Sequence, residues 1–280
     1  MPRDDKMTKA DIPAGAQDPL SYAVAARDRS VIEMVNAAVR HKQVMLAYQA
    51  VVPARNQSKP AFYEGLIRVL DETGRIIPAK DFIGAIETTE TGRIVDCLAL
   101  EKGLHVLSKY PCIRLSINMS ARSIGYSRWM RTLKRGLGKD PTIGERLILE
   151  ITESSAMLVP ELVMGFMADL QSKGISFALD DFGAGYTSFR YLRDFYFDIL
   201  KIDGQFIRGI SQDPDNQVLT TALATIAEQF DMLTVAESVE TPQDAAYLTA
   251  MGIDCLQGYY YGAPTVRPPW LAPVENRASA

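Results

Sequence analysis

From Ser30 onward the chain moves between two hydrophobic periods. Val31, Ile32, Met34, Val35, Ala38 and Val39 recur near helical spacing through RSVIEMVNAAVRHK. Short apolar, β-favouring runs follow: VMLAYQAVV, FYEGLIRVL, IRLSIN, LILEIT, SFALDD, ILKID, LTVAE and CLQGYY. Eight such runs, most of them followed by a helix-like segment, predict a parallel α/β architecture in one domain. Two helices carry clear punctuation. Pro160 opens one that Gly174 closes, while Thr241 caps another with Pro242 in its first turn, Asp244 in a capping-box place and Gly252 after its end. Only PARNQSKPA separates the first two runs, too short a stretch for a crossover helix. A barrel made from these runs would therefore begin with one strand antiparallel to the rest. The expected boundaries are a polar, weakly ordered segment over 1–28, a barrel over 29–270 and a tail over 271–280.

Composition narrows the class. With 280 residues, 47% hydrophobic and 23% charged, the chain suits one soluble globular body and excludes a disordered, collagenous or disulfide-dense protein. Lys+Arg 30 against Asp+Glu 34 gives net −4, which argues against binding a nucleic-acid polymer through bulk positive charge. No apolar run approaches ~18 residues, so no membrane span is expected. The opening MPRDDKMTKADIPAGAQDPL also lacks the apolar stretch of a secretory signal. Cys97, Cys112 and Cys255 are far apart and form no CxxC pair, as expected of a cytoplasmic protein. Two histidines, His41 and His105, leave little material for a zinc site or a Ser-His-Asp triad.

The chemistry collects at the ends of the runs. Asn118 ends RLSIN, Glu150 lies in LILEIT, Asp180 and Asp181 end SFALDD, Lys201 lies in ILKID, Glu237 ends LTVAE and Gln257 follows CL. Glu64 lies early in the second run. One acid at a strand end marks no more than entry into a solvated loop. Carboxylates on strand after strand would converge at one mouth of a barrel and repel one another unless cations sat among them. The donors are all oxygen, which suits hard divalent ions such as Mg²⁺ or Mn²⁺ rather than zinc or copper. Adjacent Asp180 and Asp181 can both face inward only where the strand bends, and the following GAG offers glycines for that bend. Two ions about 3.5–4 Å apart would activate water for in-line attack on a phosphodiester, with Lys201 adding positive charge beside it.

These motifs resemble the EAL-domain family of cyclic-di-GMP phosphodiesterases. EGLIR at 64–68 is similar to the family's E-A-L-x-R signature. SINMS at 116–120, LEITES at 149–154, DDFGAGYTSFRYL at 180–192, LKIDGQFI at 200–207, VAESVET at 235–241 and QGYYYGAP at 257–264 match later blocks in order. The resemblance spans roughly residues 30–268. It implies a (βα)8 TIM-like barrel with an antiparallel first strand, cleavage of cyclic-di-GMP to linear pGpG with Mg²⁺ or Mn²⁺, and a homodimer.

By matching position, the resemblance implies metal ligation by Glu64, Asn118, Glu150, Asp180, Asp181 and Glu237. Lys201 would assist the attacking water, Gln257 would position water or substrate, and Arg68 would bind a phosphate. Gln49, Leu66 and Glu240 would line the nucleotide site, while Glu153 would hold the loop after DDFG. Of Tyr259, Tyr260 and Tyr261, we expect Tyr261 to stack on a guanine. Ca²⁺ is expected to inhibit. The chain departs from the family pattern at Ala50, Gly65, Val69, Ala184, Ser238 and Gly262-Ala263, none of which removes a ligand or the lysine. A non-catalytic cyclic-di-GMP receptor and a hydrolase of another phosphodiester stay open. With no sensory or cyclase domain beside the barrel, control is expected from residues 1–28, dimerisation, expression level or a sensory or regulatory protein partner. Arg128, Arg131, Lys134 and Arg135 read as a solvated helix face, and Met164 and Met167 as packing residues.

Overall fold

A computed structural model of the chain describes residues 19–185 and 192–271, with backbone alone over 19–26. Residues 1–18 of the expected lead-in, and 272–280 of the expected tail, lie outside the described residues. The helix expected from Ser30 already begins at Pro19 and runs to Arg40. Proline is well placed at the first position of a helix, where no backbone donor is needed, and the following SYAVAAR is rich in good helix formers.

The apolar runs are strands. They are β1 Val44–Pro53, β2 Phe62–Leu70, β4 Leu115–Asn118, β5 Leu147–Thr152, β6 Ser176–Phe182, β7 Ile199–Ile202, β8 Leu233–Ala236 and β9 Cys255–Leu256. A short β3, Ile76–Pro78, was not foreseen and hangs on β2 as an antiparallel edge. The other eight close a barrel in the order β1-β9-β8-β7-β6-β5-β4-β2, with β2 returning to β1. As the short first connection implied, β1 is antiparallel to both its neighbours. All other barrel pairings are parallel. The punctuated helices form as read. Pro160–Gln171 is followed by Gly174 at φ 84, and Thr241 accepts the Asp244 N–H at the start of Pro242–Met251, which ends on Gly252 at φ 100.

Strand side chains alternate faces, so the barrel has two cores. The outer faces pack under the helices. The interior is plugged by Val51, Phe62, Ile148, Ala178, Ile199, Val235 and Cys255. Two residues further along the parallel strands, on the same inward face, stand Glu64, Glu150, Asp180, Lys201, Glu237 and Gln257. On antiparallel β1 the order reverses, and Gln49 precedes Val51. One strand period thus sets an apolar floor directly beneath a polar layer.

Gly65 lies on the outer face, between strand and helix. A Cβ there would stand 2.7 Å from Ile117 Cδ1 and 3.2 Å from Ser116 O. Ile117 Cδ1 also fills the space beside Gly103 of helix Glu90–Lys109, where a Cβ would meet it at 2.8 Å. Gly65→Ala should therefore destabilise the protein by about 1–3 kcal/mol through overpacking. Ile117→Val removes the obstructing methyl, so the double variant should be more stable than Gly65→Ala alone. Urea denaturation of the four proteins in the cycle measures the coupling, and strictly additive losses would show that the two residues do not compete for this space.

Candidate active site

The polar layer opens into a cavity of about 920 Å³ at the carboxyl ends of the parallel strands. Lys201 is at its base, with 1% of its side chain exposed. Its Nζ lies 2.7 Å from Glu237 Oε1, 2.8 Å from Glu150 Oε2, 2.8 Å from Asp180 Oδ1 and 3.6 Å from Glu64 Oε2. A chain of amides continues from there. Asn118 Nδ2 donates to Glu64 Oε1 at 2.8 Å, and Gln257 Nε2 donates to Glu64 Oε2 at 2.6 Å and to Gln49 Oε1 at 3.2 Å. Gln49, directly opposite Glu64 in the β1–β2 ladder, donates in turn to Gly262 O at 3.1 Å.

Both aspartates reach the cavity because β6 is irregular between Leu179 and Phe182. The expected GAG supplies only part of the bend. Gly183 has φ 91, but Asp181 itself is left-handed at φ 54. Such a conformation in a non-glycine residue costs roughly 1–2 kcal/mol and persists where neighbours enforce it. One enforcing contact is from Glu153, which is buried and accepts the Gly183 N–H through Oε2 at 3.2 Å.

Packing so many carboxylates around one ammonium distorts their ionisation. Burial and the nearby Glu64 charge push Glu150 up to about 8, although Lys201 opposes them. Burial also holds Glu237 well above the usual carboxylate range, against the pull of Lys201. Asp181 rises to about 6 through burial and the adjacent Asp180. Glu64 goes the other way. Burial works against its charge, but Lys201, Gln257 and Asn118 together hold it low. Lys201 stays charged, because the carboxylates outweigh its burial and raise it well above its ordinary value.

The layer therefore has more oxygen donors than its one lysine can satisfy. Glu150 Oε1 is buried without a hydrogen-bond partner. Carboxylate oxygens of Asp180, Asp181 and Glu237 lie within 4.8 Å of one another. An all-oxygen cluster with spare acceptors fits hard divalent cations.

Leu66, Arg68 and Glu240 line the same cavity, so the structure gathers almost all the expected site residues. Glu150 and Glu153 are buried and do not line it, and neither does Tyr261. Its ring packs against the core and the neighbouring Tyr260, and burial pushes its phenol up to about 12. Tyr259 lines the cavity instead. Lys80, Asp96 and Arg208 line it too, and none stood at a strand end where the pattern directed attention.

The sequence matches the EAL domain family over residues 32–264. It is 29% identical over 239 residues to the cyclic di-GMP phosphodiesterase PdeF of Escherichia coli (strain K12), covering 84% of this chain and 32% of that protein. Against the cyclic di-GMP phosphodiesterase PdeA of Borreliella burgdorferi it is 29% identical over 253 residues, covering 89% of this chain and 38% of the other. The chain thus spans about a third of the length of the curated relatives it matches. Among solved structures, the PaMucR phosphodiesterase in its c-di-GMP complex superposes with a TM-score of 0.72 at 27% identity, over 84% of this chain and 97% of that one.

Proposed function

The chain belongs to the EAL domain family, and from that membership we propose that it is a phosphodiesterase opening cyclic di-GMP to linear pGpG with bound divalent ions. The observation that carries this reading is the buried Lys201 among four carboxylates at the base of an open cavity. A receptor that only held a nucleotide would have no use for so concentrated a charge cluster, which is costly to bury.

Glu64, Asn118, Glu150, Asp180, Asp181 and Glu237 would hold two Mg²⁺ or Mn²⁺ ions. Such ions lower the pKa of bound water and neutralise charge on a phosphodiester. Lys201 keeps a fixed positive charge in a site shielded from water, where it stabilises charge developing on the diester. Gln257 and Gln49 orient Glu64 through their amide chain. Arg68, half-buried at the cavity wall, would hold a phosphate oxygen. Ca²⁺ should suppress turnover, because it takes more ligands at longer distances, about 2.3–2.6 Å against 2.0–2.1 Å for Mg²⁺.

Incubating the purified protein with cyclic di-GMP and Mg²⁺ and resolving the products tests the reading. Linear pGpG is expected. Nucleotide that is bound and unchanged would make the protein a receptor, and absence of binding would point to another phosphodiester. Glu153→Ala offers a finer test. Removing the acceptor for Gly183 N–H frees the loop carrying the strained Asp181, so kcat should fall by about tenfold or more, with weaker ion binding. Unchanged rate and unchanged ion titration would limit Glu153 to a packing role.

We also place the protein in the cytoplasm as a homodimer. The three cysteines are free. Among the described residues, no helix is long and apolar enough to cross a membrane. Leu158, Leu162, Val218 and Leu219 are exposed apolar side chains that a second copy would cover. Sedimentation at micromolar concentration measures the stoichiometry.

A further inference from the structure

Gln49 is the far end of the amide chain that aims Glu64, and its own anchor comes from outside the strands. Its Nε2 donates to Gly262 O at 3.1 Å. That bond fixes which end of the amide is which, turning Oε1 toward Gln257 Nε2. Gln257 Nε2 in turn donates to Glu64 Oε2. A shift of the Gly262 carbonyl would therefore pass through two amides to Glu64. Gly262 has φ 134, a conformation open to glycine and strained for other residues.

The segment that follows Gly262 is fastened to β1 at two points. β9 covers the edge of β1 only at Val52 and Pro53, below the polar layer. Higher up, Thr265 takes that edge. Tyr48 N–H donates to Thr265 O at 2.8 Å, and Thr265 N–H donates to Tyr48 O at 3.0 Å. Trp270 is the second fastening. Its ring meets Tyr48, Tyr63 and Tyr110 edge-on, with centroids 4.9, 5.6 and 5.1 Å away. Tyr48 and Tyr63 are the outward neighbours of the inward Gln49 and Glu64, because strand side chains alternate. Tyr110 closes the helix Glu90–Lys109, so the indole is braced between the helix layer and the wall of the site. Thr265 and Trp270 do not line the cavity, and both stand beyond residue 264, where the family match ends.

We propose that Trp270 is a positioning residue for Glu64, acting through Thr265, Gly262 and Gln49, and its effect on turnover rests on the phosphodiesterase reading above. The indole holds the segment against β1, and the segment holds the Gly262 carbonyl over Gln49. Without it Gln49 is free to turn, Gln257 loses one of its two acceptors, and Glu64 loses its fixed aim. Small misplacements of a reacting group are costly to rate.

A double-mutant cycle in the full chain measures this coupling. Trp270→Ala, Gln49→Ala and the double variant are compared by calorimetric Mg²⁺ affinity, by kcat and KM for cyclic di-GMP, and by melting temperature. Trp270→Ala should weaken Mg²⁺ binding and lower kcat by about tenfold each, with KM within about threefold. In the Gln49→Ala background the same change should cost at most about twofold more, while melting temperature drops equally in both backgrounds. Trp270→Phe, which keeps a ring on the tyrosines, should recover most of the loss. If Trp270→Ala does not fold, Trp270→Leu is a smaller cut that carries the same cycle. Additive losses of Mg²⁺ affinity would limit Trp270 to packing and overturn the proposal, as would unchanged affinity and rate. A wild type that shows the cycle in Mg²⁺ affinity but leaves cyclic di-GMP intact would overturn the phosphodiesterase reading and leave the relay standing. A wild type that neither takes up Mg²⁺ nor cleaves the nucleotide would overturn both.

Discussion

Lys201→Met should slow hydrolysis of cyclic di-GMP by roughly a hundredfold to a thousandfold, the range seen when one preorganised electrostatic contact is removed. It should also make the stability of the protein depend on divalent ions. Among the described residues, Lys201 is the only cation within 4.0 Å of a carboxylate oxygen of Glu64, Glu150, Asp180 or Glu237. Methionine retains most of the apolar stem and leaves those carboxylates without their counter-charge. Removing one partner of a buried ionic cluster costs on the order of 3–5 kcal/mol, less whatever the carboxylates recover by taking up protons. For a domain of this size that corresponds to a melting temperature lower by about 10 °C. Saturating Mg²⁺ should restore most of it, because the ions supply the missing positive charge and bind only the folded site. The ion-induced rise in melting temperature should therefore be larger in Lys201→Met than in wild type, while its kcat in saturating Mg²⁺ stays low. A variant with near wild-type kcat would make Lys201 a structural counter-ion only. A variant that lost activity without any change in its metal-free melting temperature would show that the carboxylates do not depend on it.

The period-two alternation made the barrel and its polar layer legible in the sequence. Once strands are assigned, an inward Ile148 requires an inward Glu150, and an inward Ile199 requires an inward Lys201. The antiparallel β1 was legible too, since PARNQSKPA cannot hold a crossover helix. What stayed hidden depends on backbone conformations that composition does not encode. Asp181 and Ser238 adopt positive φ without being glycine; the first turns its carboxylate toward the cavity, and the second accepts a hydrogen bond from Arg208. Tyr259 and Tyr261 differ by two positions in a turn rather than a strand, so no periodicity decides which one faces the cavity. Arg208 stands seven residues after Lys201, beyond a helical turn, where a strand-end pattern carries no information.

The ionisation of the polar layer leads to an expected pH dependence of ion binding. Glu150 is held up to about 8 by burial and by Glu64, and Glu237 is raised well above the usual range by burial. At pH 6 Glu150 is protonated in the metal-free protein, and burial biases Glu237 in the same direction, so an incoming ion must displace protons to gain its ligands. Apparent Mg²⁺ affinity should therefore rise with pH, by up to about tenfold per unit for each proton displaced between pH 6 and 8.5. Asp181, at about 6, adds to the slope only at the acid end. Metal-free stability should run the opposite way. The folded-state pKa of Glu150 lies above its unfolded value of 4.5, so the stabilisation is fully present below about 4.5 and is lost as pH rises through 8. Asp244, whose carboxyl is held low despite burial by Thr241 and Ser211, loses its contribution only below this interval and does not confuse it. Asp96, raised to about 6 by burial, acts in the same direction as Glu150 but is spent before pH 7. Calorimetric Mg²⁺ titrations and melting temperatures at half-unit steps give both curves, and Glu150→Gln should flatten the metal-free curve between pH 7 and 8.5. Equal Mg²⁺ affinity at pH 6 and 8.5 would mean that the donors are already charged in the metal-free protein, with Lys201 neutralising far more of the cluster than its geometry implies.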